Sequence, residues 1–210
     1  MNTFMNWLAD SFVPKSNKIL SKPWISALGS TMQKVIPFIL TGSVIFLYNV
    51  LVSFFPSLPD LGPISDFSFG IISLIVAFTI ANQCMEKLGH PSYMINAGIA
   101  SIGVFLMVAI PIGEDADSIS ALMNHVSASG IAVAMITGLF TSIIFHLWAK
   151  LQFLKDSSIP DFVSSWINTV VPNLISLGVI MIMVKLMEVN VYAAIISIFT
   201  PLIQIGQTLP

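Results

Sequence analysis

The chain has 210 residues, of which 56% are hydrophobic and only 9% are charged, and its net charge is −2. A soluble domain carries about 25% charged residues, so this composition argues against a soluble globular protein. The chain contains no arginine, which argues against a nucleic-acid-binding protein. It also has a single cysteine, Cys84, which excludes an internal disulfide.

The N-terminal region, residues 1–34, precedes the first long apolar segment. Met1, Phe4, Leu8 and Phe12 recur at helical spacing in its first part, with polar residues between them. Lysines follow at 15, 18, 22 and 34, and the tryptophans at 7 and 24 suit the headgroup layer of a bilayer. This pattern predicts short amphipathic helices lying on a membrane surface, with lipid as a binding partner.

Five long segments without Asp, Glu, Lys or Arg follow. Each has the roughly 20 residues that a helix needs to cross the hydrocarbon layer, and inside lipid a helix satisfies its own backbone hydrogen bonds. The segments are Val35–Phe55, Phe67–Met85, Pro91–Ile110, Gly130–Ala149 and Phe162–Val184. The sequence therefore predicts an all-α, polytopic membrane helical bundle with a five-helix transmembrane domain over residues 35–187.

Lysines alternate between the two sides of these segments. Four precede the first, Lys87 follows the second, and Lys150 and Lys155 follow the fourth. The other connections carry only acidic residues, at 60 and 66 and at 114, 115 and 117, whereas Lys185 is the exception. The positive-inside rule then predicts a multi-pass membrane protein with a cytoplasmic N-terminus.

The last stretch, residues 188–210, is apolar but too short to cross. Pro201 is expected to interrupt it after about one dozen residues. The sequence predicts an interfacial or linker helix there.

Small residues line one face of the fourth segment. Gly130, Ala134, Gly138 and Ser142 follow one another at intervals of four, and Ala97 and Ser101 repeat the pattern in the third segment. Such stripes allow helix backbones to approach closely in lipid. They predict a helix-packing interface, either with a second copy of the chain or within one subunit.

Residues that could carry chemistry are few. His146 lies inside the fourth segment and is the candidate functional intramembrane residue; the alternative is an interfacial histidine one turn from Lys150. His90 and His125 are expected in loops and have no ligand partners at metal spacing. No phosphate loop, nucleophile elbow or zinc-protease motif occurs. The sequence therefore predicts a protein that is not an enzyme and that has no metal and no cofactor.

Three stretches resemble a known family. They are "IPFILTGSVIFLYNVL", "FGIISLIVAFTIANQCMEKLG" followed by "MINAGIASIGVFLMVAIP", and "GIAVAMITGLFTSIIFHLWAK" followed by "SSIPDFVSSWINTVVPNLI". They resemble the N-terminal half of the membrane IIC component of phosphotransferase-system sugar transporters, lactose/cellobiose family. The resemblance implies a five-helix domain in the bacterial plasma membrane that forms a homodimer and works with cytoplasmic IIA and IIB components.

Chains of that family run to about twice this length, and their sugar pocket lies in the half that has no counterpart here. Two functions follow from the resemblance. One is the scaffold or dimerisation half of a sugar transporter that works with a separate transport half. The alternative is a free-standing membrane protein of the same ancestry with a binding or regulatory role and no transport.

Overall fold

The computed structural model describes residues 13–55, 57–110, 118–151 and 160–208, and within them every regular element is helical. The nine α-helices of these ranges are α1 Val13–Leu20, α2 Pro23–Val52, α3 Gly62–Ser68, α4 Ile72–Lys87, α5 Met94–Ala109, α6 Ser118–Val126, α7 Ile131–Leu151, α8 Asp161–Met181 and α9 Val191–Thr208. Short 3-10 turns precede α4, α5 and α7.

Five stretches of helix are long and apolar enough to cross a membrane. They are Pro23–Val52, Gly62–Lys87, Pro91–Ala109, Ala128–Leu151 and Phe162–Leu186. Each overlaps one of the five predicted segments, and the predicted all-α, polytopic membrane bundle is confirmed. The acidic residues at 114, 115 and 117 and Lys155 lie outside the described residues.

The first span begins earlier than predicted. One continuous helix of 30 residues, α2, starts with Pro23 in its first turn and runs to Val52, so the expected boundary between residues 34 and 35 falls inside it. Proline is favoured at a helix start because its missing N–H would have no partner there. Among the described residues, the part of the predicted amphipathic surface region that precedes this helix is α1.

Helix α4 lies at the centre of the bundle, where it packs against α2, α5 and α7. Its buried face carries small and medium side chains on both sides, including Val76, Ala77, Ile80 and Ala81, all without exposed surface. By contrast, only 11% of the residues in the apolar 18-residue stretch of α2 are buried, and 17% of those in the corresponding stretch of the last span. The bundle is therefore a compact core of α4, α5 and α7 flanked by two outer helices.

Ser101 Oγ has no hydrogen-bond partner among the described residues and Ser73 donates to the Ser127 carbonyl, but many other hydroxyl side chains inside the spans bond to their own helices. Each donates to the carbonyl one turn earlier, as in Thr31 to Ala27, Thr41 to Pro37, Ser43 to Ile39 and Ser176 to Pro172. The hydroxyls of Thr79, Thr137, Thr141 and Ser142 do the same. This arrangement removes the cost of an unpaired hydroxyl in lipid.

The C-terminal helix α9 is longer than predicted. It continues through Pro201 to Thr208, whereas an interruption was expected at that proline. Within a helix, Pro201 removes its own N–H bond and crowds the preceding turn, yet the helical backbone persists on both sides. Ile195, Ile196 and Phe199 pack into the larger apolar cluster, so α9 rests against the bundle.

Candidate functional site

A helix-ending turn brings one histidine to the end of the bundle that carries Lys87. Gly89 has φ +79°, its N–H donates to the Glu86 carbonyl, and the His90 N–H donates to the Met85 carbonyl at 2.9 Å. These two bonds define a Schellman motif, which requires a left-handed residue that glycine adopts without strain. Pro91 then starts the next turn. The motif holds His90 at a defined place beside α7.

The two histidines at this end of the bundle contact each other directly. His90 Nε2 lies 2.9 Å from His146 Nδ1, with an angle of 54° between the two rings. A hydrogen bond between two imidazoles requires an N–H on one ring and a lone pair on the other. In the sequence, the nearest charged neighbour of His146 is Lys150, whereas its contact with His90 joins residues 56 positions apart.

Aromatic rings from two further helices surround this histidine pair. The Trp24 ring meets the His146 ring edge-on, with 6.0 Å between centroids. Tyr93 packs edge-on against both His90 and Phe145, at 6.5 Å and 6.2 Å. The starts of α2 and α5 therefore meet the end of α7 around the pair.

An ion pair lies at the same end. Lys34 Nζ is 3.7 Å from Glu86 Oε2, and Gln83 Nε2 donates to that same oxygen at 2.7 Å. Both ionic side chains are about half exposed, so screening by solvent leaves this pair a small contribution to stability. It shows that Lys34 in α2 and Lys87 at the end of α4 belong to one end of the bundle.

The small-residue stripe of the fourth span faces the interior of the chain. Gly130, Ala134, Gly138 and Ser142 are all buried. A Cβ on Gly138 would overlap the Ile80 side chain and would lie 3.1 Å from the Ala77 carbonyl oxygen and 3.3 Å from Ser101 Oγ. The stripe therefore packs against α4 and α5 of the same subunit.

Ala97 and Ser101 in α5 have no exposed surface either. Ser101 Oγ lies in the same contact as Gly138. Of the two uses that the sequence left open for these small residues, the structure shows packing within one subunit. Any contact with a second copy would have to use another face.

Polar amides inside the spans are engaged separately. Asn96 Nδ2 donates to Thr169 Oγ1 at 3.2 Å between α5 and α8, whereas Gln83 bonds to Glu86 on the other side of the bundle. The groove of about 460 Å³ beside α2 is lined by apolar side chains such as Ile39, Phe46 and Phe69. Two other cavities each hold one carboxylate and one amide, Asp66 with Asn124 and Glu188 with Asn190.

The third histidine lies at the opposite end and is helical. His125 is in the last turn of α6, not in a loop as predicted. Its Nδ1 lies 2.7 Å from the Ala109 carbonyl oxygen, and its ring stacks on Tyr192 of α9 at 3.8 Å between centroids. Among the residues that the structure covers, no group of three or more His, Cys, Asp or Glu side chains could hold a metal ion.

The fold and the distribution of polar groups define a multi-pass helical membrane protein. The sequence is similar to "Putative permease IIC component YwbA" of Bacillus subtilis (strain 168), with 24% identity over 236 residues. The similarity covers 100% of this chain and 53% of that protein, so the chain spans about half the length of this curated relative. No protein-family profile matches the sequence. No solved structure matches it.

Proposed function

We propose that this chain is the membrane scaffold of a phosphotransferase-system sugar transporter of the lactose/cellobiose type, corresponding to its N-terminal half. The supporting observation is that similarity to a permease IIC component extends over the whole chain but over only 53% of the relative. The five-span bundle is the fold that such a half requires. The sugar pocket then belongs to the transport half.

The chemistry of the spans supports this division of labour. A sugar site needs several hydrogen-bonding groups that converge in one concave pocket. Here Asn96 donates to Thr169 of a neighbouring helix and Gln83 donates to Glu86 of its own helix, and the groove beside α2 is apolar. We therefore expect that the purified chain alone does not bind cellobiose or lactose. Calorimetric titration in detergent checks this, and saturable binding in the micromolar range would contradict it.

The charge distribution supports a cytoplasmic position for the histidine end. Lys34, Lys87 and Lys150 belong to that end, and positive charge marks the cytoplasmic side of bacterial membrane proteins. In this orientation the N-terminus is cytoplasmic and the IIA and IIB components approach the histidine end. A Cys84→Ala background with single cysteines at residues 115 and 155 tests it: an impermeant thiol reagent outside intact cells should label only 115. Labelling of 155 would reverse the topology.

Transport itself is tested in the cell that encodes the chain. Deleting the gene should abolish phosphoenolpyruvate-dependent phosphorylation and uptake of at least one disaccharide, and expression of the chain should restore both. A tagged chain should also co-purify with a membrane protein that carries the transport half. Unchanged uptake of every disaccharide together with the absence of that partner would favour the alternative, a free-standing membrane protein with a binding or regulatory role.

A further inference from the structure

We propose that His90 and His146 form a proton-sensitive clamp, in which one shared hydrogen fastens the turn between α4 and α5 to α7 and a second proton opens it. The ligand of this site is the proton. The clamp goes beyond the proposed scaffold role and does not depend on it, because it rests on the contact between the two imidazole rings alone.

The contact has room for one bridging hydrogen. At 2.9 Å between Nε2 of His90 and Nδ1 of His146, one nitrogen donates and the other accepts. When both rings are protonated, both nitrogens carry hydrogens and neither can accept. The two N–H groups would then oppose each other, and the distance could not be kept. The pair therefore shares one hydrogen, and a second proton ends the contact.

None of the described carboxylates pairs with these two histidines to compensate a second positive charge. On α7, Lys150 lies one turn beyond His146 and acts on it electrostatically. From α2, Lys34 faces Glu86, and on α4 that carboxylate is already engaged by Lys34 and Gln83. The α5 side contributes the neutral phenol of Tyr93. Among the described side chains, no carboxylate forms an ion pair with either imidazole.

The turn that the clamp holds is short and is poised to move as a unit. It runs from the left-handed Gly89 to the 3-10 segment Pro91–Tyr93 and links the two helices that form the core with α7. The edge-on contact between Tyr93 and Phe145 also joins this turn to α7, and it does not involve either imidazole. Opening is therefore local: His90 leaves α7 while the helices stay packed.

The hydrogen bond can be observed directly, because the chain has only three histidines. In protein labelled with ¹⁵N-histidine and reconstituted in nanodiscs, His125→Asn leaves only the ring nitrogens of the pair. We expect a nitrogen–nitrogen coupling across the hydrogen bond at about pH 7.5 and its loss by about pH 5, the range in which histidines titrate. Absence of the coupling at neutral pH, or its persistence at the acidic pH, would overturn the proposal.

Hydrogen exchange then tests whether the turn is released. After correction for intrinsic rates, peptides covering residues 86–94 should exchange about fivefold faster at the acidic pH than at the neutral pH, the factor that loss of one hydrogen bond gives. His125→Asn should behave in the same way. His90→Asn should exchange fast at both pH values, and His90→Gln, whose amide does not titrate, should show no pH step. An unchanged turn in the unmutated protein would refute the clamp.

Discussion

Gly89 and Gly29 are both open to solvent or lipid, yet they differ in backbone conformation. A Cβ at either position would meet nothing within 4 Å, but only Gly89 has a positive φ. Gly29 lies inside α2, where alanine is the better helix former. The same substitution should therefore have opposite effects at the two sites.

We predict that Gly89→Ala destabilises the protein by about 1 kcal/mol, the cost of a left-handed conformation with a Cβ. Gly29→Ala should stabilise it by roughly 0.5–1 kcal/mol. Thermal unfolding in detergent, followed by size-exclusion chromatography, measures both. Equal shifts of the unfolding temperature in the two variants would show that the left-handed conformation of Gly89 does not determine the change in stability.

Gly138 should tolerate no larger side chain. We predict that Gly138→Leu abolishes the folded state or destabilises it by more than about 3 kcal/mol, since overpacking typically costs roughly 1–3 kcal/mol and even a Cβ here would overlap Ile80 and lie close to the Ala77 carbonyl oxygen. Ile136→Leu is the matched control, because Ile136 is 38% exposed and lies on the outer face of the same helix. The yield of monodisperse protein decides; a stable Gly138→Leu protein would disprove the close contact with α4.

At the scale of elements, α9 is held to the bundle by an aromatic contact. Tyr192 stacks on His125, and Ile195 and Ile196 add apolar contacts. We predict that Tyr192→Leu weakens the docking of α9 by roughly 0.5–1.5 kcal/mol, the contribution of an aromatic pair beyond its buried area. Hydrogen exchange of peptides 191–208 measures it, with Ile198→Leu on the exposed face as the control.

The same tyrosine makes the docking of α9 sensitive to alkaline pH. Burial raises the pKa of Tyr192, partly offset by a hydrogen bond with Ser129. Because the folded state holds the phenol proton more tightly, this stabilisation is present below the unfolded value of about 10 and is lost as pH rises through the higher folded value. Exchange of α9 should accelerate above that pH. Tyr192→Phe should lack the step, and a step of equal size in that variant would assign it to other groups.

The spans could be predicted from the sequence because membrane crossing depends on the length and apolarity of one segment. The boundary at residue 34 was missed because the charges of the preceding turns do not end a helix; a proline at position 23 starts it. The site was only half predicted. His146 is conspicuous within its span, but its partner becomes visible only when the turn after α4 folds back beside α7.

For the whole molecule, the burial of the small-residue stripe means that a homo-oligomer would have to form through a different surface. With Gly138 and Ser142 packed inside the subunit, a second copy would have to contact an outer helix. Helix α2 is the candidate, since it exposes large apolar side chains along much of its length. We predict a homodimer that forms through the exposed face of α2. A bulky substitution on that face, such as Ser43→Phe, should alter the assembly without unfolding the subunit.

Native mass spectrometry in nanodiscs measures the assembly of the unmutated chain and of this variant. The matched control is Ile143→Phe on the exposed face of α7, which should leave the number of subunits in the assembly unchanged. A monomer at all protein concentrations would remove the homodimer from the proposed function. A dimer that withstands the α2 substitution would place the contact on another helix.

The self-bonded hydroxyls of α2 also bear on how the protein is made. Thr41 and Ser43 face outward, yet each is already satisfied by a carbonyl of its own helix. Because other helices cover so little of α2, this helix can be stable in the bilayer without a partner helix. We therefore expect α2 to insert into the bilayer first during synthesis and to remain there as a single stable helix. The core helices α4, α5 and α7 pack against one another through their small residues. They would assemble beside α2 as synthesis proceeds.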